Sequence, residues 1–448
     1  MFSFLLNLKN IENLGLFFLT LVPVAFIVGS FATNLLIIIL VLFYLFFQKR
    51  ENIKKFFIKY KWQIILLILI TLLNIIFSDV REYSFSKLVP FYRFFIFSLS
   101  IIFILKIISN KINNYVNLLF IILFFLIIDV YIQLYFGRNI FGFPFNEEYG
   151  RITGAFNDEM IIGNFLLYFG FLTLSLLNYT YQLNLTKNGI LILLISLTIL
   201  ITGERTPFIS LFYLSFFIFL FSKRKKFIFF TSLFLITLSI IIISNSERLT
   251  NKYSVTSIPK LTDIDSKTFR NNSAEESLNE SEYEMKLKKN DDNFLNSLSL
   301  SFRSNQYVGH YSRALDIIKQ NYMFGSGFKS YRKICGSYET LKQPNQYNTD
   351  ENRRLTCSIH PHNYHLEILS DTGITGYIIF LSLIFYICFT FFKKKLYKDF
   401  SICILFCLII TYIFPFKPSG SFFSTNSAFI FWYLIGHFFY FSNNSRKI

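Results

Sequence analysis

Long apolar runs recur along almost the whole chain, and they restrict its fold more than any other feature of the sequence. An α-helix needs about 20 apolar residues to cross a hydrocarbon core of about 30 Å. We count twelve such runs and predict a membrane helix for each. The runs centre on residues 14–28, 31–47, 63–78, 88–107, 115–136, 161–180, 189–202, 207–221, 227–244, 372–392, 401–414 and 427–441.

The composition also indicates a membrane protein. Of the 448 residues, 53% are hydrophobic and 20% are aromatic, and 60 are phenylalanines. A soluble domain could not bury that much apolar surface. We therefore predict an all-α polytopic membrane protein with about 12 transmembrane helices and one large, partly helical outer loop.

The distribution of basic residues predicts the orientation of the chain. With the N-terminus in the cytoplasm, the inner connections and termini together hold 20 Lys and Arg residues and three acidic residues. The one long connection, 245–371, holds 17 basic and 16 acidic residues, so nearly all of the net charge of +17 lies on the inner side. This is the positive-inside pattern, and it requires no nucleic-acid partner. Both termini are therefore predicted in the cytoplasm.

The predicted organisation has three parts. An N-terminal block of about nine helices spans 1–244, the large outer loop spans 245–371, and a C-terminal block of about three helices spans 372–448. Cys335 and Cys357 lie in the outer loop, where an oxidising compartment would allow them to pair. Two unrelated cysteines are an equal alternative, because spacing alone does not fix their geometry.

The two halves of the outer loop differ. The first half is rich in Ser, Asn and alternating charge, which is typical of a solvated segment. The second half places Ala314, Ile317 and Ile318 at helical spacing and then breaks at Gly325 and Gly327. Glycines can supply positive φ or a close backbone approach, so this half is predicted to fold.

Two polar patches lie outside that loop. The segment between the fifth and sixth runs contains Arg151, Asn157, Asp158 and Glu159 at the predicted outer boundary of the membrane. The hairpin between the seventh and eighth runs contains Arg205 within apolar sequence, where a charge is costly unless it is paired. Its partner is either Glu204, a lipid headgroup or an anionic substrate.

A third patch concentrates histidines. The stretch HPHNYHLEILSDTGITG, residues 360–376, contains three of the five histidines and directly precedes an apolar run. An unperturbed imidazole titrates near about 6.5, so it can accept a proton at neutral pH. If a helix starts at Asn363, His362 and His365 share one face. His360 precedes a proline and is expected to point elsewhere.

These patches resemble the O-antigen ligase and O-antigen polymerase group of bacterial inner-membrane proteins. The resemblance runs from about Arg151 to the C-terminus, and the order of its pieces is more specific than any one of them. The pieces are R-I-T-G-A-F-N-D-E at 151–159, G-E-R-T at 203–206, R-A-L-D-I-I at 313–318 with F-G-S-G-F at 324–328, and P-H-N-Y-H-L-E-I-L-S-D-T-G-I-T-G at 361–376. Residues 1–145 show no motif beyond hydropathy, and a charged insert near 260–295 departs from the group.

The resemblance implies a GT-C-type glycosyltransferase of the inner membrane whose active site faces the periplasm. The implied donor is a polyprenyl-diphosphate-linked glycan, and the acceptor is lipid A core or a similar glycolipid or glycan. His362 would activate the acceptor, and Arg205 and Arg313 would hold the diphosphate. Supporting residues of the site would be Arg151, Asn157, Glu159, His365, Gly325 and Gly327. Neither a cofactor nor a metal is implied, and ligase and polymerase activity are not separated by any motif.

Elementary chemistry agrees with these roles. The planar guanidinium of arginine holds phosphate oxygens with two parallel hydrogen bonds. Two arginines could supply the charge that a divalent cation provides elsewhere. No glycine-rich phosphate loop with its lysine is found, so a nucleotide substrate is not indicated.

Three alternatives stay open from the sequence. His360, His362, His365 and Glu367 could bind zinc, although their spacing matches no recognised closed site. The histidines could also simply lie at a wet interface. A transporter would use buried ionisable groups, for which Arg93 and Asp129 are the main candidates, but no internal repeat is found.

Overall fold

The structure, a computed structural model, describes residues 8–59, 61–145, 150–157, 159–253, 306–337 and 358–444. These parts of the chain are mainly α-helical, and the helices are numbered here in chain order. The helices before the outer loop are α1 Leu8–Val28, α2 Ser30–Phe47, α3 Arg50–Lys59, α4 Lys61–Ile76, α5 Arg81–Ile107, α6 Ile112–Phe136, α7 Ile162–Tyr181, α8 Leu185–Thr202, α9 Arg205–Phe221 and α10 Lys225–Ser244. The later helices are α11 Glu247–Tyr253, α12 Gln306–Gln320, α13 Tyr331–Ser337, α14 Tyr364–Lys393, α15 Phe400–Tyr412 and α16 Thr425–Asn443.

A helix covers each of the twelve predicted apolar runs. Among the described residues, eight helices are long and apolar enough to cross a membrane, and the apolar helices α4, α9 and α15 are shorter. The predicted class, an all-α polytopic membrane protein, is therefore confirmed. The count of twelve crossings and the compartment of the loop stay predictions.

Helix α7 runs through the middle of the bundle. Within an apolar stretch of 18 residues in α7, 89% is buried, against 17% of the corresponding stretch in the peripheral α10. It packs mainly against α15, and the hydroxyl of Ser175 donates to the carbonyl of Ser401 at 2.7 Å. Its turn Leu166–Gly170 is π-helical, a local widening that often occurs at functional sites.

Helix α14 breaks at Gly373, whose φ is +66°. The F-G-S-G-F segment, residues 324–328, docks on this break: the backbone N–H of Gly327 donates to the carbonyl of Asp371 at 3.0 Å. Helix α14 also donates to the outer loop, because the backbone N–H of Ile374 donates to the carbonyl of Tyr322 at 2.8 Å. The predicted domain boundary at 371/372 lies beside this break, inside α14.

The positive φ predicted for the loop glycines is confirmed, at +73° for Gly325 and +119° for Gly327. A Cβ atom at Gly325 would lie 2.4 Å from the backbone nitrogen of Gly373, so only glycine fits there. The helix predicted around Ala314 is also confirmed, because α12 covers it and buries that side chain completely. These glycines position the outer loop on α14.

Buried polar groups fix the segment that follows α6. The carboxylate of Asp129 accepts from the backbone N–H of Ile140 at 2.9 Å, and the side chain of Gln133 accepts from Gly154 at 2.7 Å. Arg93, the other candidate for a role in transport, donates to the side chain of Asn34 at 2.7 Å. Asp129 thus anchors a loop, which gives it a structural explanation in place of a role in transport.

Candidate active site

His362 lies just before α14 and not on it. The side chain of Asn363 caps the helix by accepting from the backbone N–H groups of His365 and Leu366, at 3.0 and 3.1 Å. His362 has a φ of +55°, in the left-handed region, so it cannot share a helical face with His365. The shared face was predicted on the condition that the helix starts at Asn363, and this condition is not met, because α14 begins one residue later.

Three imidazole rings gather at this point. The ring centroid of His362 lies 4.2 Å from that of His360 and 5.1 Å from that of His310 on α12. The expectation that His360 points elsewhere is thus also wrong, because the turn before the cap brings the two rings together. His310 was not among the residues predicted from the sequence, although it lies three residues before Arg313, on the same face of a helix.

Burial favours the neutral forms of His360 and His362. Burial, together with the neighbouring His362 and the cationic Arg332, lowers the pKa of His360 to about 3. Burial and the adjacent His310 also lower the pKa of His362, while a backbone hydrogen bond involving Ser419 opposes the shift. Because its pKa is lowered, the half-buried ring of His362 is in its basic form near neutral pH.

Arg313 lies on the histidine side of the molecule. Its Nη2 atom donates to the carbonyl of Cys335 at 3.3 Å. Burial raises the pKa of Tyr331, and the positive charge of Arg313 opposes this rise. The hydroxyl of Tyr331 donates to the carbonyl of His310 at 3.3 Å. Cys335 is disulfide-bonded, and Cys357 lies outside the described residues, so their pairing stays a prediction.

The remaining members of the histidine stretch hold a neighbouring loop. The two ring nitrogens of His365 lie 2.9 Å from the hydroxyl of Tyr377 and 2.6 Å from the carbonyl of Ile413. The carboxylate of Glu367 accepts from Ser421 and from the backbone of Phe422. His365 and Glu367 therefore point to the loop 413–424, which we call the α15–α16 loop. In the described part of the chain, no group of three or more His, Cys, Asp or Glu side chains could hold a metal ion.

Arg205 belongs to a second group of charges, at the α8–α9 hairpin. Arg205 is exposed at the first position of α9, and the buried Glu204 before it accepts from the backbone N–H of Gly163 at 2.7 Å. Burial raises the pKa of Glu204 to about 7, opposed by the Gly163 bond and the charge of Arg151. Burial raises the pKa of Tyr253, and the positive charges of Arg248, Arg151 and Arg205 all oppose this rise.

Arg248 of α11 was not recognised in the sequence. Its Nη2 atom donates to the carbonyl of Ile201 at 2.9 Å, and it lines a cavity of about 420 Å³ together with Arg138. It follows the ninth apolar run closely, at the start of a charge-rich segment in which no single residue stands out. Its position on the hairpin arises only from the folding of α11 back onto α8.

The residues of the motif at 151–159 differ in whether they reach the hairpin group. Arg151 reaches the hairpin group, and its Nη1 atom donates to the sulfur of Met160 at 3.4 Å. Asn157 and Glu159 are exposed, and Asn157 has a φ of +54°. Asp158 lies outside the described residues.

The α15–α16 loop contacts the histidine stretch and helix α9. The backbone N–H of Ser419 donates to the carbonyl of His362 at 2.8 Å. From α9, the hydroxyl of Tyr213 donates to the carbonyl of Phe416 at 3.2 Å. The loop therefore lies between the histidine stretch and the helix that begins with Arg205.

This arrangement defines a class, a helical membrane protein whose predicted motifs form a histidine cluster before α14 and an arginine cluster at the α8–α9 hairpin. A family model described as O-antigen ligase matches residues 190–381, from α8 to beyond the break in α14. This match supports the O-antigen ligase and polymerase family that the motifs predicted. A search of curated proteins found no match.

The matched range contains Arg205, Arg313 and His362, whereas the motif at 151–159 lies outside it. The matched family implies an O-antigen ligase or polymerase type of activity, which is that of a glycosyltransferase-like membrane enzyme. It also implies lipid-linked glycan substrates.

Proposed function

We propose that the protein is an O-antigen ligase-like glycosyltransferase that moves a glycan from a polyprenyl diphosphate to lipid A core or a similar acceptor. The observation that supports this most is the neutral, half-buried His362. It packs beside His310, on the α12 face from which Arg313 also projects. A base next to a fixed cation suits an acceptor hydroxyl that attacks beside an anionic leaving group.

In the proposed reaction, an acceptor hydroxyl oxygen attacks the anomeric carbon of the donor glycan and forms the new glycosidic bond. The bond between that carbon and the diphosphate oxygen breaks, and its electron pair leaves with the diphosphate. His362 takes the hydroxyl proton and later releases it to water. No oxidant or reductant is required.

The diphosphate in this proposal lies between the two groups of charge. Arg205 approaches it from the hairpin and Arg313 from the histidine side, and negative charge grows on it as the bond breaks. Guanidinium groups stabilise such charge, most strongly where they are partly buried and held in place, as Arg313 is. We propose that this site works in the periplasm of the cell and without a metal.

Reconstitution tests the proposal. Purified protein in detergent is given a polyprenyl-diphosphate-linked glycan and lipid A core, with and without a chelator. We expect glycan transfer to the core in both conditions. No transfer to any acceptor contradicts the proposed function, and loss of transfer only in chelator contradicts its metal independence.

A deletion strain then separates ligase from polymerase. Loss of every glycan-bearing lipid A core band on a gel is the result expected for a ligase. A core that carries a single repeat unit would instead identify a polymerase.

A further inference from the structure

The α15–α16 loop turns its side chains the opposite way from a usual surface loop. Phe416 is 79% exposed, whereas the next residue, Lys417, is only 6% exposed. A loop on a water-facing surface would normally bury its aromatic residue and expose its lysine. At a membrane boundary the exposed Phe416 can contact lipid, but the inward position of Lys417 needs its own explanation.

Lys417 has only neutral neighbours among the described residues. Its Nζ atom donates to the hydroxyl of Tyr168 at 2.8 Å, and it lies 5.6 Å from the ring centroids of both Tyr168 and Tyr412. In that part of the chain no carboxylate forms an ion pair with it. Burial lowers the pKa of Lys417 to about 7.

Such a lysine costs stability. A buried ammonium loses its hydration, and one phenol hydroxyl with two aromatic rings replaces only part of it. An apolar side chain of similar length would fit the same space without that cost. A costly buried cation without an anionic partner in the described part of the chain is a candidate to bind an anion from outside it.

The location of Lys417 indicates which anion it would meet. Two residues further on, Ser419 donates to the carbonyl of His362, so the loop is bonded to the proposed base. Tyr168 lies on the π-helical turn of α7, five residues after Gly163, which donates to Glu204 in the hairpin group. Five residues of helix rise by about 7.5 Å. Lys417 is therefore placed between the histidine stretch and the arginine hairpin.

We propose that Lys417 is a third cation of the donor site and binds a phosphate oxygen of the lipid-linked diphosphate. This inference rests on the proposed function, because it concerns the same donor. Lysine binds phosphate as a point charge, and its flexible four-carbon stem lets the ammonium leave Tyr168 without displacement of the loop. A bound phosphate also restores the charged form of the amine.

The substitution Lys417→Met tests this role, because it keeps the length of the side chain and removes its charge. Thermal unfolding is measured in detergent, with and without inorganic diphosphate, and in nanodiscs with polyprenyl diphosphate. Without ligand, we expect the variant to melt at or above the wild-type temperature. We also expect diphosphate affinity to fall at least tenfold, so the ligand should stabilise the variant much less than the wild type.

Two further variants sharpen the test. Lys417→Arg keeps a cation and should retain much of the diphosphate binding. Lys394→Met is the matched control, because Lys394 also donates only to uncharged oxygens, at Ser442 and Asn443, and lies at the opposite end of α14. This control should bind diphosphate as the wild type does.

Other outcomes would overturn the inference. A Lys417→Met protein that melts well below the wild type would show that the lysine stabilises the fold. Equal diphosphate binding by Lys417→Met and wild type would remove Lys417 from the donor site. Stabilisation of the wild type, but not of Lys417→Met, by phosphatidylglycerol in place of the donor would identify a membrane lipid as the partner.

Different results would contradict the proposed function and the inference about Lys417. The proposed function fails if wild-type protein neither binds polyprenyl diphosphate nor transfers glycan. The inference about Lys417 alone fails if the wild type does both and Lys417→Met binds the donor equally well.

Discussion

At the residue scale, the chemistry centres on a histidine that precedes its helix. Asn363 caps α14 and leaves His362 in a left-handed turn, where its ring meets those of His360 and His310. A position outside the helix frees the ring from the rotamers that a helix imposes. It also places His362 where an acceptor could approach from the outer loop.

We expect His362→Ala to lower glycan transfer by about 10²- to 10⁴-fold, which is typical of the loss of a general base. Donor binding should survive, because the substitution leaves the arginines in place. The measurement compares diphosphate binding with transfer in purified protein. His360→Ala is the matched control and should cost much less. Near-normal transfer by His362→Ala would show that another group takes the proton.

The pH dependence of transfer should also identify this base. Burial lowers the pKa of His362, so its neutral, proton-accepting form persists below the value of about 6.5 for a free imidazole. Transfer is therefore expected to fall on acidification only below that value. A pH profile of kcat/KM measures it, and an acid limb above about 6.5 would contradict the assignment.

The sequence revealed some of these residues and not others. His362 and Arg313 stand in recognisable motifs, whereas His310, Arg248 and Lys417 do not. The spacing of three residues between His310 and Arg313 was a local signal, whereas Arg248 and Lys417 come near the site only through the packing of segments that are distant in the sequence. His365 stands in the same motif as His362, but its ring nitrogens lie against Tyr377 and the neighbouring loop, so its supporting role stays a prediction.

At the element scale, the decisive features are interruptions of helices. Hydropathy predicts where α7 and α14 run, but the π-helical turn in α7 and the break at Gly373 depend on the partners that pack there. The break exposes backbone groups, and the F-G-S-G-F segment satisfies them. This pairing explains the spacing of the loop glycines by packing against α14.

Gly325→Ala should destabilise this docking. The added Cβ would meet backbone atoms of Gly373 and Asp371 at 2.4–2.5 Å, at a positive φ that costs alanine about 1–2 kcal/mol by itself. We expect a lower unfolding temperature and faster proteolysis of the outer loop. Gly420→Ala is the control, since its nearest contact would be an ordinary 3.7 Å. Equal stability of the two variants would contradict the docking.

At the scale of the whole molecule, charge and apolar length predict most of the architecture. Every apolar run became a helix, because a long apolar segment has few other ways to satisfy its backbone in a bilayer. The way in which the helices pack was not predictable, because the runs are similar in composition. Only the packed structure distinguishes the central α7 from the peripheral α10.

The positive-inside pattern predicts the topology. Reporter fusions at Ser273, in the outer loop, and at Lys395, after α14, should report opposite compartments. An activity that requires the periplasm is expected only for the Ser273 fusion. Matching signals from the two fusions would mean that the number of crossings between them is even.

The central position of α7 has a consequence for the synthesis of the protein. Its main neighbour, α15, leaves the ribosome more than 200 residues later, so α7 enters the membrane before the surface that encloses it exists. Until then polar groups that pack against α15, such as Ser175, must be shielded by the insertion machinery or by provisional contacts with earlier helices. A ribosome that stalls before residue 400 would leave a nascent chain with an open centre, which membrane quality control could recognise by these uncovered polar side chains.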